Sequence, residues 1–113
     1  MEDKDVFILE EIISYCDRIA AVLAKHSGGF DEFNADSEYQ DVCAFRVMQI
    51  GEYVNSLSEK FKASHPEMPW HKIIAFRNIV SHDYGKIDHG IMWETITEDI
   101  PKLREFCVHQ IRH

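Results

Sequence analysis

Glycine and proline are scarce, five and three in 113 residues, which leaves too few turn formers for a β-sandwich and excludes collagen-like repeats. Long apolar runs are missing as well. With no stretch of about 18 consecutive apolar residues, no segment reads as a membrane span. The N-terminal stretch mixes charged and apolar residues without the basic-then-apolar order of a secretion signal. Cysteine is limited to Cys16, Cys43 and Cys107. An odd number, widely spaced and without a CxxC pair, offers neither a disulfide framework nor a zinc or redox centre, and a reducing cytoplasm is the expected location. Positive charge is short too: 12 Lys and Arg against 20 Asp and Glu give a formal charge of −8. Such a chain repels polyanions at long range, which counts against a protein that coats nucleic acid through a broad basic surface. A small cluster of cations stays compatible with binding a phosphate, because near charges outweigh screened distant ones.

What the chain does have is apolar residues, 45% of the total, at a length where folding buries roughly 65% of the surface an unfolded chain exposes. One domain over residues 1–113 with one core is expected. From Asp5 to Lys25, Ile8, Ile12, Tyr15, Ile19 and Val22 recur at steps of three and four, widened by Leu9, Ile13, Cys16 and Leu23, which predicts a long amphipathic helix. Ser27-Gly28-Gly29 should stop it by supplying a left-handed C-cap. After an acidic loop, Ser37 with Gln40 reads as a capping box opening a second helix to about Ala63, with Tyr39, Cys43, Val47, Ile50, Val54, Leu57 and Phe61 inward. A neighbouring line of that helix, Val42, Phe45, Gln49, Glu52 and Ser56, turns polar beside the core and either borders a cleft or forms a solvated flank. Pro69 opens a third helix from about Trp70 to His82, a turn follows at Tyr84–Asp88, and a last helix carries Ile91 to Ile111 with a kink or break near Asp99, where Pro101 removes a hydrogen bond. No segment shows the alternation of a strand. The fold expected is all-α, an up-and-down bundle of four to five helices.

The chemistry-bearing segment is Trp70-His71-Lys72-Ile73-Ile74-Ala75-Phe76-Arg77-Asn78-Ile79-Val80-Ser81-His82-Asp83-Tyr84-Gly85. Arg77, Asn78, His82 and Tyr84 gather near one helix end, although a helix turning 100° per residue does not put Arg77 and His82 on one line. Their convergence needs long side chains, a frayed end or a second copy across a dimer. Histidine suits proton transfer near neutral pH, and arginine presents a permanently charged fork to phosphate oxygens. The pair thus fits attack of a ribose 2′-hydroxyl on its neighbouring phosphate, a scheme that requires neither metal nor cofactor. By itself such a pair is weak: many helical proteins carry an Arg and a His five apart as surface residues.

The run Phe76-Arg77-Asn78-Ile79-Val80-Ser81-His82-Asp83-Tyr84 resembles the Arg-x4-His-x-Tyr signature of HepT-like HEPN proteins. The resemblance continues in Gln49-Ile50-Gly51-Glu52-Tyr53-Val54-Asn55, in Pro69-Trp70 and in Asp99-Ile100-Pro101-Lys102-Leu103, in the family's order along nearly the whole chain. It implies a helical-bundle RNA endonuclease, the toxin of a type VII-like toxin–antitoxin module, with Arg77 and His82 catalytic at the interface of a homodimer and Asn78 as their polar neighbour. It also implies an MntA-like minimal nucleotidyltransferase as antitoxin partner, which transfers AMP to Tyr84. Phosphate and bulk on that hydroxyl, two residues from His82, would block a substrate phosphate by sterics and like charge. A tyrosine simply packed at a helix end is the plain alternative. Glu52 is a candidate to orient Arg77 if the second and third helices pack together, or else a surface carboxylate.

Other residues offer less. His109 and His113 have metal-ligand spacing but sit at a terminus. His65, His71 and His89 lack ligand spacing and read as solvent-facing, and Trp70 and Trp93 read as core or dimer-interface anchors. Two functions follow: an endoribonuclease, or a non-catalytic module that binds a nucleotidyltransferase partner and a nucleotide, which the acidic charge favours.

Overall fold

The computed structural model describes Met1–Arg112 as an all-helical bundle, and no strand occurs among the described residues. Helix α1 spans Asp3–Ala24, with Asp3 and Asp5 in the first turn, where the helix dipole favours negative charge. Ile8, Leu9, Ile12, Cys16 and Ile19 of its predicted stripe are buried. The stop differs from expectation. Lys25 closes α1 in an ordinary right-handed conformation, and the left-handed residue, Gly29 at φ +67°, instead starts a further helix, α2, Gly29–Ala35. The acidic stretch read as loop is therefore helical, because Phe33 at its centre is fully buried against Tyr39 and Trp93.

Helix α3 covers Ser37–Ser56, and its N-cap is Asp36, which accepts from the Tyr39 amide at 3.1 Å. Ser37 is thus not the cap. Gln40 is not part of a capping box either: its amide donates to the Phe33 and Asn34 carbonyls at 2.8 and 3.1 Å, sealing the end of α2. The second helix does not run on to Ala63. It breaks at Leu57 and Ser58, both extended, before α4, Glu59–Ser64. The break holds because buried Asp5 accepts from both the amide and the hydroxyl of Ser58, at 3.0 and 2.8 Å, while that hydroxyl accepts from the Phe61 amide at 3.1 Å. Groups that would have been bonded within a continuous helix are satisfied from α1 instead. Leu57 and Phe61 stay in the core on either side.

Helix α5, Trp70–Asp83, follows Pro69, and the Trp70 indole donates to the Lys62 and His65 carbonyls that end α4. Beyond a 3₁₀ turn at Tyr84–Lys86 lie α6, His89–Glu94, and α7, Ile100–Arg112, joined by a π-turn at Thr95–Asp99. This is the irregularity expected before Pro101, whose missing N–H cannot pair with the preceding turn. Thr95 and Thr97 donate to the Ile91 and Trp93 carbonyls there. Packing runs α5–α3–α1–α7, with neighbours antiparallel: Tyr53 meets Glu11 and Arg46 meets the Arg18 carbonyl between α3 and α1. Lys72 ties α5 to the π-turn through Glu94 and Asp99, at 3.1 and 2.6 Å. No described helix is long and apolar enough to cross a membrane.

Candidate functional site

The seam between α3 and α5 organises the site. Gly51 faces Arg77 so closely that a Cβ at 51 would lie 2.4 Å from the Arg77 Cβ and 3.3 Å from the Ile73 carbonyl oxygen. Glycine is what lets the two backbones approach there. One residue on, Glu52 accepts from Arg77 Nε at 2.5 Å, and Arg77 Nη1 donates to the Asn78 side-chain oxygen at 2.7 Å. Glu52 holds the guanidinium further above its already high value and is itself held below the usual carboxylate range, in each case chiefly through their shared hydrogen bond. Of the five donors of a guanidinium, those on Nη2 have no partner among the described residues.

Further along the seam Ser81 donates to the Met48 sulfur at 3.4 Å, and the Tyr84 hydroxyl donates to Asp41. Tyr84 is 38% exposed, yet its hydroxyl is engaged. Burial and then the Asp41 carboxylate push its ionisation well above the ordinary value for tyrosine. The 3₁₀ turn after α5 folds the hydroxyl back onto α3.

Helix α5 is regular through both Arg77 and His82, which therefore sit about 140° apart around the axis and about 7.5 Å along it. One chain brings Glu52, Arg77 and Asn78 together and leaves His82 exposed, without a hydrogen-bond or ion-pair partner among the described residues. No group of three His, Cys, Asp or Glu among the described residues is placed to hold a metal ion; His109 lies on α7, and its suggested companion His113 falls outside the described residues. His71 is exposed as expected, whereas His65 and His89 are half-buried: His65 packs on Phe61 and Phe106, and His89 bonds Asn34 at 2.9 Å and meets the ring of Phe33. Trp70 is buried and Trp93 packs against the core.

Asp41, Met48 and Gly51 were not singled out from the sequence. The signal was there in part. Asp41, Phe45, Met48, Glu52 and Asn55 recur at steps of three and four along α3, a line that shares Phe45 and Glu52 with the one that was read and otherwise lies one residue before it, and a glycine inside a helical pattern marks close backbone approach.

A helical bundle with an arginine clasped on its second long helix and a histidine at the end of its third defines a class that sequence comparison identifies. The family described as "Ribonuclease HepT-like" matches residues 9–109, and the chain belongs to that family. It is 33% identical over 75 residues to "Probable ribonuclease HepT" of Thermococcus cleftensis, covering 66% of this chain and 68% of that protein. To "Putative RNase TTE0752" of Caldanaerobacter subterraneus subsp. tengcongensis it is 30% identical over 97 residues, 86% of this chain and 85% of the relative. A match to "Gamma-glutamylcyclotransferase and putative RNase MJ0434" of Methanocaldococcus jannaschii is 33% identical over 75 residues and spans 34% of that longer protein. No solved structure matches the chain.

Proposed function

We propose that the protein is an RNA endonuclease that works without a metal ion, with Arg77 and His82 as its catalytic residues and Tyr84 as its point of control. Membership of the ribonuclease family supports the substrate, and one observation carries the site: the guanidinium of Arg77 is fixed by Glu52 and Asn78 with its Nη2 donors left over. In the reaction the 2′-oxygen attacks the adjacent phosphorus and gives up its proton to histidine. The bond to the 5′-oxygen breaks, that oxygen takes a proton, and a 2′,3′-cyclic phosphate remains. Arg77 stabilises the phosphorane through charged hydrogen bonds already in position. His82 moves the proton.

Because His82 points away from its own Arg77, the site is completed in a homodimer, where two-fold symmetry sets the His82 of one copy beside the Arg77 of the other. Exposed Phe45 on α3 and Ile79 on α5, 52% and 44% accessible, support such a contact. Tyr84 is proposed as the acceptor of AMP from a minimal nucleotidyltransferase antitoxin. A phosphodiester there could not stay against the Asp41 carboxylate; it would swing toward the end of α5 and repel a substrate phosphate.

Incubation with RNA in EDTA tests the reading. Cleavage should survive chelation and vanish in both Arg77→Ala and His82→Ala; mutants that cut like the wild type would refute it. Light scattering should give twice 13.2 kDa, and mass spectrometry after reaction with partner and ATP should place AMP on Tyr84 and none on Tyr84→Phe. The charge of −8 and the pairing of Arg77 with Glu52 favour one other reading, a non-catalytic module that binds the nucleotidyltransferase, and the same cleavage assay decides between them.

A further inference from the structure

The α3–α5 seam does not end at Arg77. Toward the C-terminal end of α3 it opens into a groove of about 480 Å³, bordered by Asn55, Lys62, Pro66, Met68, His71 and Ile74. Ile74 precedes Arg77 by one helical turn, so the groove begins about 4.5 Å along the axis from the arginine and reaches His71 at about 9 Å. Its chemistry suits a base rather than a phosphate. Lys62 is already paired with Glu59 at 3.1 Å and donates to the Asn55 carbonyl at 3.4 Å, which leaves little net charge to recruit an anion. Pro66, Met68 and Ile74 supply apolar walls. The exposed side-chain amide of Asn55 and the exposed His71 imidazole have no partner among the described residues, and a primary amide offers the paired donor and acceptor that base edges match. Extruded bases are held between aromatic or apolar side chains and read by hydrogen bonds to their edges.

We infer that this groove is a base-binding subsite for the RNA strand. The base of a nucleotide flanking the scissile phosphate lies between Met68 and Ile74 with its edge toward Asn55 and His71, while Arg77 holds the phosphate. The inference rests on the ribonuclease reading and adds what that reading does not contain. Arg77 and His82 act on the sugar-phosphate backbone, which carries no sequence information, so any preference for a base must come from a neighbouring surface such as this one.

Trp70 lines the groove, whereas Trp93 lies elsewhere against Phe33 and Phe30. Trp93→Phe thus leaves Trp70 as the sole tryptophan. Titrating that variant with short single-stranded RNA carrying 2′-O-methyl groups, which cannot undergo 2′-attack, should change Trp70 emission saturably. Adding Asn55→Ala, which removes an edge partner, or Ala63→Phe, which fills the groove, should weaken the titration at least about fivefold. Both should raise KM for cleavable RNA more than they lower kcat, and Asn55→Ala should flatten the base preference beside the cut. A silent Trp70, or titrations unchanged in both variants, would overturn the subsite while leaving cleavage by Arg77 and His82 standing. If the wild type cuts no RNA, the ribonuclease reading falls, and the Trp70 titration alone decides whether the groove takes a base.

Discussion

Gly51→Ala tests the close approach of α3 and α5. The new Cβ would stand 2.4 Å from the Arg77 Cβ, 3.0 Å from its Cγ and 3.3 Å from the Ile73 carbonyl. Carbon atoms rest at about 3.5–4.0 Å, so α3 and α5 must part by roughly 1 Å or more. No rotamer change relieves the clash, because both Cβ atoms are fixed to their backbones. Overpacking of this kind costs roughly 1–3 kcal/mol, and the better helix propensity of alanine returns about 0.8–1 kcal/mol. The net loss is then about 1 kcal/mol, or about 4–8 °C in Tm for a domain of this size. Activity should suffer far more. The displaced residue is Arg77 itself, and a misplacement of about 1 Å at a reacting centre costs about 100-fold in rate. Thermal denaturation followed by circular dichroism, together with single-turnover RNA cleavage, reads both effects. Gly85→Ala, where nothing lies within 4 Å of the added Cβ, is the stability control. A Gly51→Ala protein with wild-type Tm and wild-type cleavage would refute both the tightness of the seam and the need for Arg77 to sit where it does.

Asp5→Ala should lower unfolding free energy by roughly 1–3 kcal/mol, since it strips the amide and hydroxyl of Ser58 of their acceptor; urea denaturation would show an unchanged midpoint if the α3–α4 break does not depend on it. Burial pushes the Cys43 thiol up to about 11, Cys107 to about 12 and Cys16 higher still. A thiol reagent at about pH 8 should therefore label none of the three in the folded protein and all three in denaturant, and fast native labelling would contradict the burial. Tyr84 should ionise above the ordinary tyrosine value, because burial and Asp41 oppose its phenolate. A folded value raised above the unfolded one means that its stabilising contribution is complete below about pH 10 and fades as pH climbs through the folded value. Ultraviolet difference titration of the wild type against Tyr84→Phe checks this, and a Tyr84 that ionises at the ordinary tyrosine value would sink it.

Periodicity made the long helices legible because their inward stripes are nearly unbroken: Tyr39, Cys43, Val47, Ile50, Val54, Leu57 and Phe61 are all buried, as the pattern requires. The same regularity hid the break at Ser58. Leu57 and Phe61 remain four apart on the core side whether the helix is continuous or stepped, and the group that settles it, Asp5, lies 53 positions away in sequence. Helix α2 was masked by its acidic residues, since one buried phenylalanine in seven residues gives no period to read. At the proposed site, Arg77, Asn78, His82 and Tyr84 were singled out by their resemblance to a family signature, since an arginine and a histidine five residues apart say little by themselves. Their partners Asp41 and Glu52 come from another helix, and only the register of α3 against α5 sets which carboxylate meets which side chain.

That register also bears on how an acidic chain can handle RNA. Glu52 offsets much of the charge of Arg77, so the arginine gains little as a long-range attractor. What it gains is orientation. A free arginine loses rotamer entropy when it grips a phosphate, whereas one held at Nε and Nη1 has already lost it on folding. In the proposed reaction the remaining Nη2 donors would discriminate by geometry rather than by charge, favouring a phosphorane whose oxygens lie where they point over a ground-state phosphate that does not. Affinity must accordingly be gathered from surfaces other than the arginine. On this molecule the groove between Asn55 and Ile74, whose Lys62 and Glu59 pair with each other, and the exposed apolar residues of α3 and α5 have contacts left to make. The proposed site, divided in this way, would keep a single pre-aimed cation useful on a protein of charge −8.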